Sequence, residues 1–495
     1  MLERLHTPAG DEPAGVFVRA AGKGLPVTRV QSILGAAINE NNWYNLQTTS
    51  DMALQQLELP PIKSVAKPRS STFYRARFRS LLSGDLSFQG QDSAYASHNY
   101  HAFPAKFPPQ LPRTFIEALT KVGDVVLDPM MGSGTTIVEA FLAGRHAIGL
   151  DIDPLALRLC KTKTSPLPVE QVSLAGNKIL EQAQKDLLQN NDVLRRDLET
   201  YYGEAEHKFI DYWFLPQTQL ELISLLRQLK QIKEPEIQAF LELVFSSIII
   251  TKSGGVSMAR DLAHTRPHRV DDKVPRSAIT EFRKRLSRNL SSLAALTSKS
   301  SEVQLFRGNA QRVPLKDQMA DLIVTSPPYA SNAIDYMRAH KFSLVWLGHS
   351  INELSELRGE YIGHDAIAGF PLAKLPEYAE QVVETVAKTD QKKSKTLHRY
   401  YSEMTLTLAE MARVLRPGKA AVVVVGSSTM RGIDTQTDVC LGEIGKQVGL
   451  DLVHIGVREI DRDKRMMPAR RNASNRSQIE ERMHEEFVIG FMRQG

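Results

Sequence analysis

The segment from Gly123 to Asp153 constrains this chain most. A short buried strand expected at 124–127 ends on Asp128 and opens the turn Asp128-Pro129-Met130-Met131-Gly132-Ser133-Gly134-Thr135-Thr136. Residues 137–143 carry a helical apolar pattern, and a second apolar run at 147–150 ends on Asp151, with Asp153 two residues on. Strand, turn, helix and strand within about 30 residues make a βαβ unit, whose two strands must lie parallel. The fold class expected is therefore α/β.

The turn predicts a ligand as well as a fold. A helix N-terminus presents unpaired N–H groups, and Gly132 and Gly134 let backbone approach a ligand closely. A carboxylate about 20 residues later, at the end of the next strand, commonly binds ribose hydroxyls, and Asp151 stands there. The turn lacks Gly-x-Gly-x-x-Gly spacing and is not followed by Gly-Lys-Ser/Thr, so a pyrophosphate is not expected. A nucleoside cofactor fits, and S-adenosyl-L-methionine is one.

A second segment, Ser326-Pro327-Pro328-Tyr329, directly follows an apolar strand predicted at 321–325. Two prolines in a row fix φ and remove two N–H donors, and they hold the preceding residue extended. Ser326 adds a hydroxyl and Tyr329 a π-face. Such a set suits an exocyclic amine on a flat base, whose conjugated lone pair is a poor nucleophile unless acceptors orient its N–H bonds. Catalysis of this kind is positional and electrostatic and needs no cysteine nucleophile.

With 495 residues the chain exceeds one ordinary core. Residues 1–90 form an N-terminal region without an assignable role, and 67–72 reads as a linker. A helix is expected at 111–119 with Pro112 in its first turn. Residues 167–299 read as a mainly helical insertion, with Leu222, Leu225, Leu226 and Leu229 at helical spacing. The α/β pattern resumes at about residue 300 and runs to 495. Within it, 350–400 reads as a second insertion with a basic end at Lys388, Lys392, Lys393 and Lys395. A helix follows at 401–415, closed by Pro417-Gly418, and then strands at 420–425, 450–457 and 486–491.

These segments resemble the amino-group DNA methyltransferases, the cytosine-N4 and adenine-N6 family. The resemblance is carried by His98 to Phe107, by the turn 128–136, and by Gly144 to Asp153. It continues through Gly308-Asn309-Ala310 and the tetrapeptide, and more loosely through Arg413 to Lys419 and Arg465 to Phe491. Met130 stands where the family usually has Phe, and Asn309 where Asp is frequent. The resemblance implies a Rossmann-like seven-stranded methyltransferase sheet spanning 91–166 and 300–495. It implies S-adenosyl-L-methionine held by Lys106, Asp128, Met130, Gly132, Gly134, Thr135, Asp151 and Asn309, with Ser326, Pro327, Pro328 and Tyr329 as the reaction residues. Double-stranded DNA with the target base flipped out is the implied substrate. The Ser form of the tetrapeptide is similar to that of cytosine-N4 members. Adenine N6, an RNA base, and a binding protein without catalysis stay open as alternatives. A restriction-modification system, with a cognate endonuclease as partner, is the implied setting.

Composition agrees with a nucleic-acid partner without requiring one. Net charge is +6 and the pI about 9.0. Cations cluster between residues 252 and 288, so Lys252, Arg260, Arg266 and Arg269 are the candidate DNA contacts, with His264 and His268 among them. No metal site is expected from that spacing. The two cysteines, Cys160 and Cys440, cannot build a disulfide framework, which suits a prokaryotic cytoplasm. No leader is expected from the opening residues, and the most apolar run, 243–250, is far below the ~20 residues that span a bilayer.

Overall fold

The computed structural model describes residues 71–103, 106–251, 255–260, 262, 267–296, 301–330, 335–363, 370–426, 428–460 and 484–494. All of them belong to one compact unit, Gln55–Gly495. Seven strands form its sheet: β1 (Val125–Asp128), β2 (His146–Asp151), β3 (Val303–Arg307), β4 (Ala320–Thr325), β5 (Leu415–Gly426), β6 (Leu450–Glu459) and β7 (Glu485–Arg493). Their spatial order is β3-β2-β1-β4-β5-β7-β6. The first five are parallel, and β7 runs antiparallel between β5 and β6.

The interior strands β1 and β4 are buried along their whole length. Runs rich in Val, Ile and Leu suit such strands, because both faces must be covered. Alternate residues serve opposite faces. Val126, Leu322, Val324 and Val422 meet the helices α1 (Ser71–Leu82), α2 (Gln110–Leu119) and α3 (Thr135–Leu142). After α4 (Pro154–Lys163) the chain enters a helical layer: α5 (Val169–Gln189), α6 (Asn191–Tyr201), α7 (Glu204–Trp213), α8 (Pro216–Leu229), α9 (Pro235–Ile249) and α10 (Ala278–Leu293). That layer shares one core with α11 (Tyr336–Leu344) and α12 (Ile351–Gly359), through Phe240, Phe282, Phe342 and Trp346. On the other face of the sheet, Val125, Leu127, Ile323 and Val423 meet α13 (Glu377–Ala387), α14 (Gln391–Val414) and α15 (Thr437–Gln447). Among the described residues no helix is long and apolar enough to cross a membrane.

Three local expectations change. The helix expected at 401–415 begins at Gln391, so Lys392, Lys393 and Lys395 lie in its first turns, where Asp390 caps the N–H of Lys393. Pro417 and Gly418 do not separate that helix from a strand. They bulge inside β5, whose pairing moves from Ala320↔Leu415 to Leu322↔Ala420, with Gly418 at φ 71°. Ser71 and Thr72, read as linker, open α1, which buries Phe78 and Leu82 against the sheet. Residues 71–90 are therefore packed with the sheet, ahead of the boundary read at 91.

The docking of α1 depends on two glycines. A Cβ on Gly456 would run into the Leu82 carbonyl, and one on Gly490 into the Leu82 side chain. Gly456→Ala is expected to cost about 1–3 kcal/mol, because backbone must move to admit the methyl. A lower urea midpoint with an unchanged slope would show it; an unchanged midpoint would refute this packing.

Candidate active site

Strand order reverses at β1, which has β2 on one side and β4 on the other. The carboxyl ends of two such neighbours leave a crevice that crossing helices do not fill. Thr325 Oγ1 donates to Asp128 Oδ1 at 2.7 Å, and Thr136 Oγ1 donates to the Val324 carbonyl at 3.1 Å. These bonds hold the glycine turn after β1 beside the tetrapeptide after β4.

An open cavity of about 910 Å³ lies at this junction. Lys106, Asp128, Met130, Gly132, Thr135, Asp151, Asn309, Ser326 and Pro328 all line it. Gly134, Pro327 and Tyr329 do not. Gly134 caps α3 at φ 78°, and a Cβ there would stand 2.7 Å from Cys160 Sγ. Its lack of a side chain answers to packing under the turn. Gly132, at φ 48°, stands on the wall itself, where a Cβ would lie 3.3 Å from the Phe103 ring.

The turn is built from its own polar groups. Asp128 Oδ1 accepts from Met130 N, Gly132 N donates to Asp151 Oδ2 at 2.8 Å, and Asp153 N donates to Asp151 Oδ1 at 2.9 Å. Beneath it, the fully buried Lys163 donates to the Ser133 carbonyl at 2.7 Å, and burial depresses its pKa far below the usual value. The segment before α2 is pinned by His98 Nε2, 2.7 Å from Glu139 Oε1 on α3, which also accepts from Tyr95 Oη. Lys106 reaches back to the His98 carbonyl at 2.9 Å.

Three carboxylates share the cavity in different states. Burial pushes Asp128 up to about 6. Burial, with Asp153 as a like-charged neighbour, pushes Asp151 up to about 7. Burial also opposes ionisation of Asp153, but His340 Nδ1 at 2.5 Å, Tyr361 Oη at 2.8 Å and the Leu155 N–H outweigh it and hold Asp153 below the usual carboxylate range.

The pocket also has walls that the sequence did not announce. Phe103 stacks on Tyr336 with centroids 5.4 Å apart, and His340 lies 5.0 Å from the same ring. Tyr336 and His340 are i and i+4 on α11, a spacing that places them on one helix face. Glu360, Tyr361 and Ile362 close another side, and they come from the stretch read only as an insertion. No local pattern marks them.

The tetrapeptide is tied to the neighbouring strands. Ser326 Oγ donates to the Val424 carbonyl of β5 at 2.9 Å. Tyr329 Oη donates to Glu486 Oε1 at the start of β7, at 2.7 Å. Burial, then the charge of Glu486, raises Tyr329 well above its usual pKa.

Of the candidate DNA contacts, Lys252 and Arg266 lie outside the described residues, as does His264. Arg260 and Arg269 belong to a small hairpin bridged at Ala259↔Arg269 and hung on the Trp213 carbonyl through Met258 N. Arg260 is exposed. Arg269 pairs with Asp271 at 2.7 Å and lies over the Tyr212 ring. Lys273 donates to the carbonyls of Ser257 and Ala259, which makes it a brace for this hairpin. Arg260, Arg269 and Lys273 do not line the cavity.

A family described as DNA methylase, of the N6/N4 type, matches residues 39–162, a span holding the glycine turn but ending before the tetrapeptide. The Type II methyltransferase M.MvaI of Kocuria varians is 24% identical over 421 residues, covering 79% of this chain and 89% of its own. M.BsoBI of Geobacillus stearothermophilus is 23% identical over 279 residues, 53% of this chain and 54% of its own. M.BglI of Bacillus subtilis is 49% identical over 55 residues, 11% and 16% respectively.

Gly134→Ala is expected to lose about 1–3 kcal/mol through the overpacked contact with Cys160 and the left-handed backbone. Cys160→Ala in the same chain should restore part of that loss, since it removes the sulfur but not the backbone strain. Thermal unfolding of the three variants measures both effects, and a double variant no more stable than Gly134→Ala would refute the packing role.

Proposed function

We propose that this chain, which the N6/N4 DNA methylase family matches over residues 39–162, methylates the exocyclic N4 of cytosine in DNA, with S-adenosyl-L-methionine as donor. One observation carries the reading: the glycine turn and the Ser-Pro-Pro-Tyr tetrapeptide open into the same cavity.

The residues present suit the cofactor. Gly132 leaves flat backbone on the wall, and Asp151 offers a carboxylate for ribose hydroxyls beside it. Asn309 gives a polar edge for the adenine, and Met130 and Phe103 give apolar surface. Lys106 brings a cation and Thr135 a hydroxyl suited to the amino-acid tail, with Asp128 near the turn. When bound, the cofactor supplies a methyl group made electrophilic by a sulfonium.

The chain's own part is to present the amine. Ser326 has one hydroxyl proton and gives it to Val424, so its oxygen serves the amine as an acceptor. Pro327 and Pro328 contribute no N–H, so this stretch offers the amine acceptors without competing backbone donors. Acceptors hydrogen-bonded to the amino hydrogens would turn the nitrogen lone pair out of conjugation and so make it a better nucleophile for an electrophilic methyl carbon. The barrier falls by orientation and local electrostatics.

A base in a duplex must leave the stack to enter such a cavity, which supports DNA bound with a flipped nucleotide. The exposed Arg260, with Arg269, Lys252 and Arg266 from the same basic stretch, supplies the proposed phosphate contacts. The Type II relatives support a restriction-modification setting with a cognate endonuclease.

The test is chemical. DNA from a host expressing the chain, digested to nucleosides, should contain N4-methylcytosine by mass spectrometry. N6-methyladenine instead would move the target to the adenine amine, and neither product would overturn the reading. Ser326→Ala should slow transfer on the order of 100-fold with cofactor affinity within about twofold, as expected for loss of one orienting group.

Asp151 gives the cofactor site a pH dependence. Its carboxyl is raised to about 7 in the folded protein, so below that pH binding as a carboxylate requires loss of a proton. Affinity for S-adenosyl-L-methionine should therefore rise from pH 6 to pH 8 and then level off. Asp151→Asn should flatten this profile and weaken binding by about 1.5–3 kcal/mol. Calorimetry across that range is the measurement, and an identical pH profile in Asp151→Asn would remove the assignment.

A further inference from the structure

The phenol of Tyr329 has a charged acceptor. It donates to Glu486 Oε1 at 2.7 Å, while Arg458 Nε donates to the other carboxylate oxygen at 2.6 Å. Arg458 and Glu486 are 6% and 8% exposed, so this is a buried ion pair. It sits on a defined register: Glu486 faces Arg458 across β6 and β7, and Gly426 across β5 and β7.

Burying such a pair is costly, and well-packed apolar residues often stabilise a fold as much or more. Stability alone is therefore a weak reason for its presence. What the pair supplies is a fixed anion. A hydrogen bond to a carboxylate is shorter and stronger than one between neutral groups. Arg458 holds that carboxylate at one end, so the other end clamps the Tyr329 ring. With Ser326 bonded to Val424 of β5, both polar side chains of the tetrapeptide are anchored on the adjacent strands β5 and β7.

We propose that Glu486, held by Arg458, is a positioning residue for methyl transfer, fixing Tyr329 and through it the geometry of the Ser326–Tyr329 turn. The inference rests on the methyltransferase reading above. Glu486 does not line the cavity and acts only through Tyr329.

The experiment is a double-variant cycle on the full chain, followed by kcat, KM for DNA and cofactor affinity, with thermal midpoints taken alongside. Tyr329→Phe keeps the ring and removes the hydroxyl, with its tie to Glu486 and its interaction with Ser326. It should lower kcat at least about tenfold, since small misplacements at a reacting centre cost up to 10²-fold. Cofactor affinity and KM should stay within about twofold. Glu486→Gln keeps an oxygen acceptor without the charge, and its kcat should fall between wild type and Tyr329→Phe. The double variant should be no slower than Tyr329→Phe, because both changes break one link. A Tyr329→Phe enzyme with wild-type kcat overturns the proposal, and so do effects that multiply in the double variant. Losses confined to the thermal midpoint also overturn it, since they leave the pair a purely structural role. If the wild-type chain methylates no nucleic acid, the functional reading falls and takes this inference with it. Wild-type turnover with an unaffected Tyr329→Phe removes this inference alone.

Discussion

The bond from Thr325 to Asp128 joins residues 197 positions apart in sequence, across two buried parallel strands. A buried carboxylate needs partners, and here one of them is the last residue of the neighbouring strand. That one contact sets the end of β1 level with the end of β4. The glycine turn leaves one strand and the tetrapeptide leaves the other, so their relative height follows from this register. The cavity exists because the sheet changes direction at this point and no helix crosses it.

The polar groups around the cavity form a graded set. Asp151 and Asp153 are two residues apart, yet one is raised to about 7 and the other is held below the usual range. The difference is made by partners. Asp153 has His340 from α11 and Tyr361 from the segment after α12, while among the described residues Asp151 has backbone N–H groups as its hydrogen-bond partners. The helical elements that follow the tetrapeptide thus do more than roof the site. They keep one carboxylate charged and occupied, and they leave its neighbour on the open wall with capacity for a ligand.

Much of this was legible in the chain. The βαβ unit, the two turns and the strands at 321–325 and 420–425 carry local signals: buried runs of Val, Ile and Leu, glycines at tight bends and paired prolines. The candidate residues that line the cavity are legible for the same reason, since each sits within a short motif. The packing role of Gly134 is not legible locally, because a glycine that relieves a clash with Cys160 looks the same in sequence as one that admits a ligand. Helix α1 carries Tyr74, Phe78 and Leu82 at helical spacing, but Lys67-Pro68-Arg69 just before it reads as linker and obscures that signal.

The rest depended on long-range packing. Nothing near Tyr361 marks it as a partner of Asp153, and nothing near Glu486 or Arg458 points to Tyr329, because those contacts span 208, 157 and 28 positions and carry no local pattern. By itself the sequence determined the α/β class, the glycine turn after β1 and the proline-paired tetrapeptide after β4, each dictated by backbone chemistry over a few residues. The tertiary structure alone decided that the two turns share a cavity, which carboxylate is held below the usual range, and what anchors the tyrosine. Those outcomes arise from the register of strands and the burial of charge, which only the assembled chain creates.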